Sequence, residues 1–285
     1  MREVRAIQVA IACSIVGALV KFSVGVVTGS MSMISSAVDS VGDLFVSLVN
    51  LLVVRYASLG PDEDHNYGHA KIEGLGAMFE GGFILAAAGF IAYEAVHKAI
   101  IGEVTHDTTL GLVTMAPILA MTFATVLYLR KVAKATGSLV VRSDALHYLT
   151  DVWVNVGVIV SLALVKLTGK PIVDTIVSLV IAAYMIVSSL AVVREGFDVV
   201  MDKSLEPELV DQLHAMLRGC DQILSYHDFK TRRGRVPHVD FHVIVPPDMT
   251  AEAVHDLFLE LQGRVREIAG PAARVLMHAD PAGHA

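Results

Sequence analysis

Two long apolar runs of this 285-residue chain each carry a pair of ionisable residues four positions apart, Asp39 with Asp43 and His147 with Asp151. On an α-helix the i, i+4 spacing sets both side chains on one face, about 6 Å apart along the axis. An ionised group in hydrocarbon costs about 3 kcal/mol or more unless it is paired, hydrated or bound to an ion. The two helices must therefore turn these faces inward, where the pairs can meet. Three carboxylates and one imidazole form a four-donor set for a divalent cation, with Zn2+ leading and Cd2+, Fe2+ and Co2+ as further candidates. The competing reading is a polar cluster that only fixes helix packing. Ser or Asn commonly serves there, whereas three acids repel one another without a cation or protons.

The rest of the composition places these runs in a bilayer. Hydrophobic residues make up 54% of the chain and charged residues 18%, and the mean hydropathy is +0.60, which a soluble domain does not sustain. Apolar stretches at about 6–28, 32–55, 74–96, 108–130, 141–166 and 172–193 each approach the roughly 20 residues that cross the hydrocarbon. Six transmembrane helices are expected within a domain covering residues 1–200. No small-residue cleavage site follows the first stretch, so it reads as a permanent helix. Arg2, Arg5, Arg55, Lys71, Arg130, Lys131, Lys134, Arg142, Arg194 and Lys203 fall on one side, against Lys98, Lys166 and Lys170 on the other. This bias predicts that both termini are cytoplasmic. The net charge of −7 is dispersed and gives no indication of nucleic acid. Cys13 and Cys220 lack metal-motif spacing and read as packing residues.

Polar residues recur at helical steps on both site-bearing runs: Ser32, Ser36, Asp39, Asp43, Ser47 and Asn50 on one, Ser143, His147, Asp151 and Asn155 on the other. Opposed stripes of this kind are expected to line a wet pathway with the site near the midplane. Lys21 is expected to snorkel or to neutralise a neighbouring acid, and Glu80 and Glu94 to behave similarly, outside the site.

Beyond about residue 195 the periods shorten. Residues 206–218 read as a helix, 223–231 and 237–245 as strands, 254–268 as a second helix and 274–278 as a third strand. The expected architecture is thus an α-helical membrane protein followed by a small α+β cytoplasmic domain, residues 201–285, in the order α-β-β-α-β. About 80 residues is small for a lone domain, which favours association with a partner.

The runs Val38-Asp39-Ser40-Val41-Gly42-Asp43 and Asn50-Leu51-Leu52-Val53-Val54-Arg55-Tyr56 resemble the second helix of the cation diffusion facilitator family. Ser143-Asp144-Ala145-Leu146-His147-Tyr148-Leu149-Thr150-Asp151 resembles that family's other metal-binding stretch. Six spans followed by a small tail domain are similar to its layout over nearly the whole chain. The resemblance implies a homodimeric exporter, metallochaperone-like in its tail. It would sit in the bacterial inner membrane and move Zn2+, and Cd2+ or Fe2+ as well, out of the cytoplasm in exchange for protons. Asp39, Asp43, His147 and Asp151 fall on the family's tetrahedral site.

The same resemblance assigns Asp62, His65 and His69, in the loop after the second span, to a second metal site at the cytoplasmic mouth. It also pairs Lys71 with Asp202. In the histidine-rich tail it assigns His227, His242, His278 and Asp280, with His255, to zinc held between protomers. His238 shares a strand face with Asp240 and His242 and is a further candidate, while His214 and His284 read as surface histidines. Zn2+ is thus both cargo and a structural or regulatory ion. A membrane sensor that signals through its tail without transporting is the alternative, and it gains nothing from a midplane site. An enzyme is not expected, since no span carries His-Glu-x-x-His.

Overall fold

The computed structural model describes residues 2–28, 31–101, 109–168 and 172–283; the side chains of 25, 28, 31–39, 98, 109–115, 158, 161–163, 165, 166 and 174 lie outside the description. The chain divides into two compact units, residues 1–197 and 198–285. The first contains six long helices: α1 (Arg2–Thr28), α2 (Met31–Ala57), α3 (Ile72–Ile101), α4 (Thr109–Thr136), α5 (Leu139–Thr168) and α6 (Ile172–Val200), the last running into the second unit. Each has 27 to 30 residues. At about 1.5 Å per residue that exceeds the hydrocarbon thickness. Among the described residues α1, α2, α3, α4 and α6 contain stretches long and apolar enough to cross a membrane. The remaining long helix, α5, carries Arg142, Asp144, His147 and Asp151. Large apolar side chains such as Leu19, Phe22, Phe90, Val180 and Val187 stand exposed on this unit, as lipid-facing residues do.

Helices α1, α2, α4 and α5 share a core built around Ile7, Val54, Val126, Leu129, Val141 and Leu149. The α4–α5 connection is short because Gly137 takes the left-handed conformation, φ +69°, and its N–H closes onto the Ala133 carbonyl. Glu73 of α3 then accepts from the Leu139 N–H at the start of α5, 3.0 Å, a favourable place for a carboxylate. Contact between α3 and α6 depends on glycine. A Cβ on Gly196 would lie 2.5 Å from the Gly74 carbonyl oxygen and 2.8 Å from Met78 Cγ. Because the nearer atom is backbone, no rotamer change relieves it. Gly196→Ala is therefore expected to destabilise the membrane unit by about 1–3 kcal/mol, read as a lower melting temperature in detergent; an unchanged melt would show that the helices can separate freely.

The second unit is α7 (Pro207–Arg218), β1 (Ser225–Arg232), β2 (His238–Val245), α8 (Ala251–Ala269) and β3 (Arg274–Pro281), the expected order with boundaries shifted by a few residues. The sheet runs β1-β2-β3, with β1 antiparallel and β3 parallel to β2. A parallel neighbour needs a crossover, which α8 supplies. Thr250 caps α8 by accepting from Ala253 N–H at 3.2 Å, a contribution of about 1 kcal/mol. Along β2, Val239, Phe241, Val243 and Val245 are buried, and they pack with Leu213 and Leu217 of α7 and Leu257, Leu261 and Val265 of α8. Both helices thus cover one face of the sheet, and strand alternation turns His238, Asp240 and His242 to the other.

Candidate metal centres

The polar faces of α2 and α5 meet inside the membrane unit. His147 Nε2 lies 3.2 Å from Asp43 Oδ1, and one donor atom each of Asp43, His147 and Asp151 falls within 4.8 Å of the others. Such a spacing is what one ion bound at about 2 Å to each donor requires. The backbone of α2 places Asp39 one turn before Asp43; its side chain lies outside the described residues. The trio borders a cavity of about 480 Å³, which Lys21, Ser40, Thr150 and Asn155 also line. Lys21 Nζ donates to Ser40 Oγ at 2.8 Å, and its ammonium acts on Asp151. It thus faces the site inside the bilayer, the neutralising role rather than the snorkelling one. Cys13 is in the cavity wall, and Cys220 packs in the core of the second unit.

The stripes were expected to line a continuous wet path, and in part they do not. Ser47, Asn50 and Ser143 are wholly buried, held by bonds between helices. Ser47 pairs with the Tyr148 hydroxyl at 3.2 Å and Asn50 donates to Asp144 Oδ1 at 3.1 Å. Ser143 donates to Glu80 Oε2. Glu80, expected like Lys21 to snorkel or to neutralise a neighbour outside the site, does not reach for the interface: it is fully buried beside Asp144, outside the lining of the cavity, and acts electrostatically on His147. The reason is distance in sequence: its partners come from α2 and α5.

In the α2–α3 loop, Asp62 is fixed by its own turn. Oδ1 accepts from the backbone N–H of His65 at 2.6 Å and of Asp64 at 3.1 Å, an Asx-type turn. The His65 N–H bond, foremost, holds the Asp62 carboxyl below its usual range, with the neighbouring imidazoles adding to it. Asp62 therefore stays ionised until pH falls below that range. His65 Nδ1 and His69 Nε2 each lie 3.2 Å from Asp62. His69 is almost wholly buried against Tyr56, with Nδ1 3.2 Å from the Gly60 carbonyl. Donation there leaves Nε2 unprotonated for a metal, the usual orienting device of a ligating histidine.

In the second unit the register places His227 opposite His242 and His242 opposite His278, three imidazoles in a row across the sheet. Asp280 sits among them: Oδ2 is 3.4 Å from His227 Nε2 and 3.2 Å from His242 Nδ1, and Oδ1 is 3.2 Å from His278 Nε2. His227, His242 and Asp280 form a metal-capable group. Asp228 also approaches, 4.0 Å from His242 Nε2. A bulge between His227 and Lys230 puts it at φ +47°, so alternation counted along the strand did not reveal it. Its bond from Lys230, chiefly, keeps its carboxyl below the usual range.

Other tail histidines stand apart. His255 is exposed on α8, in the layer on the opposite face of the sheet. His238 lies against the Arg232 guanidinium at 3.3 Å, and burial followed by that charge pushes its pKa down; neighbouring cations make it a poor ligand position. His214 is half-buried, bonded to the Tyr226 hydroxyl at 2.9 Å and packed on Phe229, not simply at the surface. His284 lies outside the described residues. Asp202 lies 3.4 Å from Arg232.

A bundle of apolar helices around side chains able to hold a metal ion, followed by a small histidine-bearing sheet domain, defines a multi-pass membrane transporter of metal cations. Residues 7–201 match the cation efflux transmembrane domain, and residues 205–282 match the cytoplasmic domain of cation efflux proteins. The chain belongs to this family, the cation diffusion facilitators, whose members are transporters and not enzymes. It is 28% identical to the cation-efflux pump FieF of Shewanella oneidensis over 255 residues, 89% of this chain and 86% of that protein. FieF of Yersinia pestis is 31% identical over 255 residues, 89% and 84% of the two chains. A solved structure of CzrB in its Zn form is 34% identical, covering 30% of this chain and 97% of its own, with a TM-score of 0.26.

Proposed function

We propose that this transporter exports Zn2+ from the cytoplasm in exchange for protons, with Cd2+ and Fe2+ as further cargo. In this reading residues 1–200 carry the transport path, and residues 201–285 bind metal in the cytoplasm and join two copies in a homodimer. Both termini face the cytoplasm of a bacterial inner membrane. The observation that carries the proposal is the meeting of Asp43, His147 and Asp151 donors within 4.8 Å at a membrane cavity. In this reading Asp39, one turn before Asp43 on α2, is the fourth donor. Nitrogen and carboxylate oxygen in a four-donor cage suit Zn2+.

Exchange follows from the ligand chemistry. Imidazole and carboxyl groups bind metal only without their protons, so metal and protons compete for one site. Opening that site alternately to each side makes the competition an antiport. Asp62, His65 and His69 load metal at the mouth, where Asp62 is ionised beforehand. His227, His242, His278 and Asp280 bind zinc in the tail and bias the packing of the dimer, with His255, which the sheet separates from them within one chain, serving the cluster of the other copy.

Zn2+ uptake into proteoliposomes tests the reading. Flux that rises when protons are supplied on the receiving side is expected. Flux indifferent to the proton gradient would overturn the antiport, and no Zn2+ flux would overturn the cargo.

A further inference from the structure

An ammonium inside a bilayer is costly unless an anion or water meets it, so the lysine of α1 calls for a role. Lys21 lies about two turns before that helix ends at Thr28. Its Nζ turns inward and donates to Ser40 Oγ of α2 at 2.8 Å. Ser40 is buried and stands within one turn of Asp43 on the same helix. Lys21 borders the cavity that Asp43, His147 and Asp151 also line, and among the described residues lining that cavity it is the one lysine or arginine. Its charge acts on Asp151. Three helices thus bring to one cavity a set of carboxylates and an ammonium, which has donors and no lone pair and so never ligates a metal itself.

Charge separates this contact from an ordinary bond between helices. The carboxylates of Asp39, Asp43 and Asp151, with a neutral His147, keep one negative charge when a divalent ion is bound. Lys21 cancels it, and the loaded site is neutral in a medium that penalises net charge. With the ammonium present, loading takes the ionised cavity from two negative charges to none; without it, loading takes the cavity from three to one. The energy of confined charge grows as its square, so the second step releases more. The ammonium therefore weakens the hold on the metal. For an exporter that is useful, because affinity differences reside mostly in the rate of release, and a divalent ion among three unopposed carboxylates leaves slowly.

We propose that Lys21 is the resident counter-cation of the membrane metal site: it neutralises the loaded site and remains as the positive charge among the carboxylates when the ion departs, so that release is fast. The inference deepens the proposed function and rests on Asp39, Asp43, His147 and Asp151 being the transport site. Metal and protons still compete for the same ligands. The ammonium is a further cation in that cavity, tethered to α1 and carried through every cycle. A peg between α1 and α2 would need only the bond to Ser40, which a neutral donor also supplies, whereas a counter-cation needs the charge.

Full-length Lys21→Gln, Lys21→Met and Lys21→Arg in proteoliposomes separate the charge from the bond. Gln keeps a donor for Ser40 and loses the charge, Met loses both, and Arg keeps both. Gln and Met are each expected to lower the KM for Zn2+ and the maximal rate together by about tenfold, leaving flux at low Zn2+ nearly unchanged, while Arg returns both to within about threefold of wild type. A Gln variant with wild-type KM and rate overturns the proposal and leaves Lys21 a peg between helices. A KM that rises in Gln and Met overturns it as well, since that pattern is a distorted site. Should Met fail to fold, the contrast of Gln with Arg carries the same reading. Equilibrium Zn2+ binding in detergent, counted as the part lost in Asp151→Ala, reads the charge without transport: tighter binding in Gln and Met supports the proposal, and unchanged or weaker binding overturns it. A wild-type protein that binds Zn2+ at this site and carries none across the bilayer refutes the proposed cargo, while the binding series still decides the role of Lys21.

Discussion

Asp151→Ala is expected to abolish metal transport, by about 100-fold or more, while the protein remains folded. The carboxylate contributes one of the donors that lie within 4.8 Å of one another beside His147 and Asp43. Removing it leaves a three-donor site, with Ala unable to bind and water a weak substitute. Fold is spared because the side chain borders the cavity rather than filling the core, and loss of a buried acid relieves like-charge repulsion with Asp43. Zn2+ flux in proteoliposomes and a melting curve in detergent read the two halves of this expectation. Flux near the wild-type level would remove Asp151 from the site, and a collapsed melt would assign it to structure instead.

The second large effect is expected in the tail. Asp280 is the carboxylate shared by His227, His242 and His278, so Asp280→Ala takes the centre from the cluster and leaves three imidazoles with no anion between them. Zn2+ at about 100 times its Kd adds about 2.7 kcal/mol of stability where it binds the native state alone. That increment should be present in the wild-type protein and lost in the variant, with zinc content per protomer falling accordingly. Acid removes the increment from the wild type as well, since imidazolium cannot ligate. Zinc content and zinc-induced stabilisation both unchanged in Asp280→Ala would show that the imidazoles bind without it. Transport through the membrane site is expected to persist in this variant, which separates regulation from the path.

Why the proposed transport site could be read from sequence, and the place of Glu80 beside it could not, is a matter of range. The i, i+4 spacing of Asp39 with Asp43 and His147 with Asp151 is a local property of the helix, and the cost of charge in hydrocarbon forces such faces inward wherever the helices lie. Strand alternation likewise set His242 on the face opposite Phe241 before any fold was known. Asp62, His65 and His69 share one short loop, where proximity is assured by the chain itself. The burial of His69 against Tyr56, by contrast, follows from how the loop folds back on α2.

The sequence by itself determined the periods: which residues share a helix face, which alternate along a strand, and which runs are long enough to span a bilayer. Only the tertiary structure decided which faces meet. Glu80 has no polar partner within its own turn, and its place beside Ser143 and Asp144 arises across 63 residues of chain. Asn50 and Asp144 join across 94. Asp228 reaches His242 through a bulge that resets the count along β1, and His255 is separated from the imidazole row because α8 covers the other face of the sheet. Local stereochemistry fixes direction along one element, whereas packing between elements depends on apolar surfaces distributed over the whole chain, and it is packing that completes or removes a site.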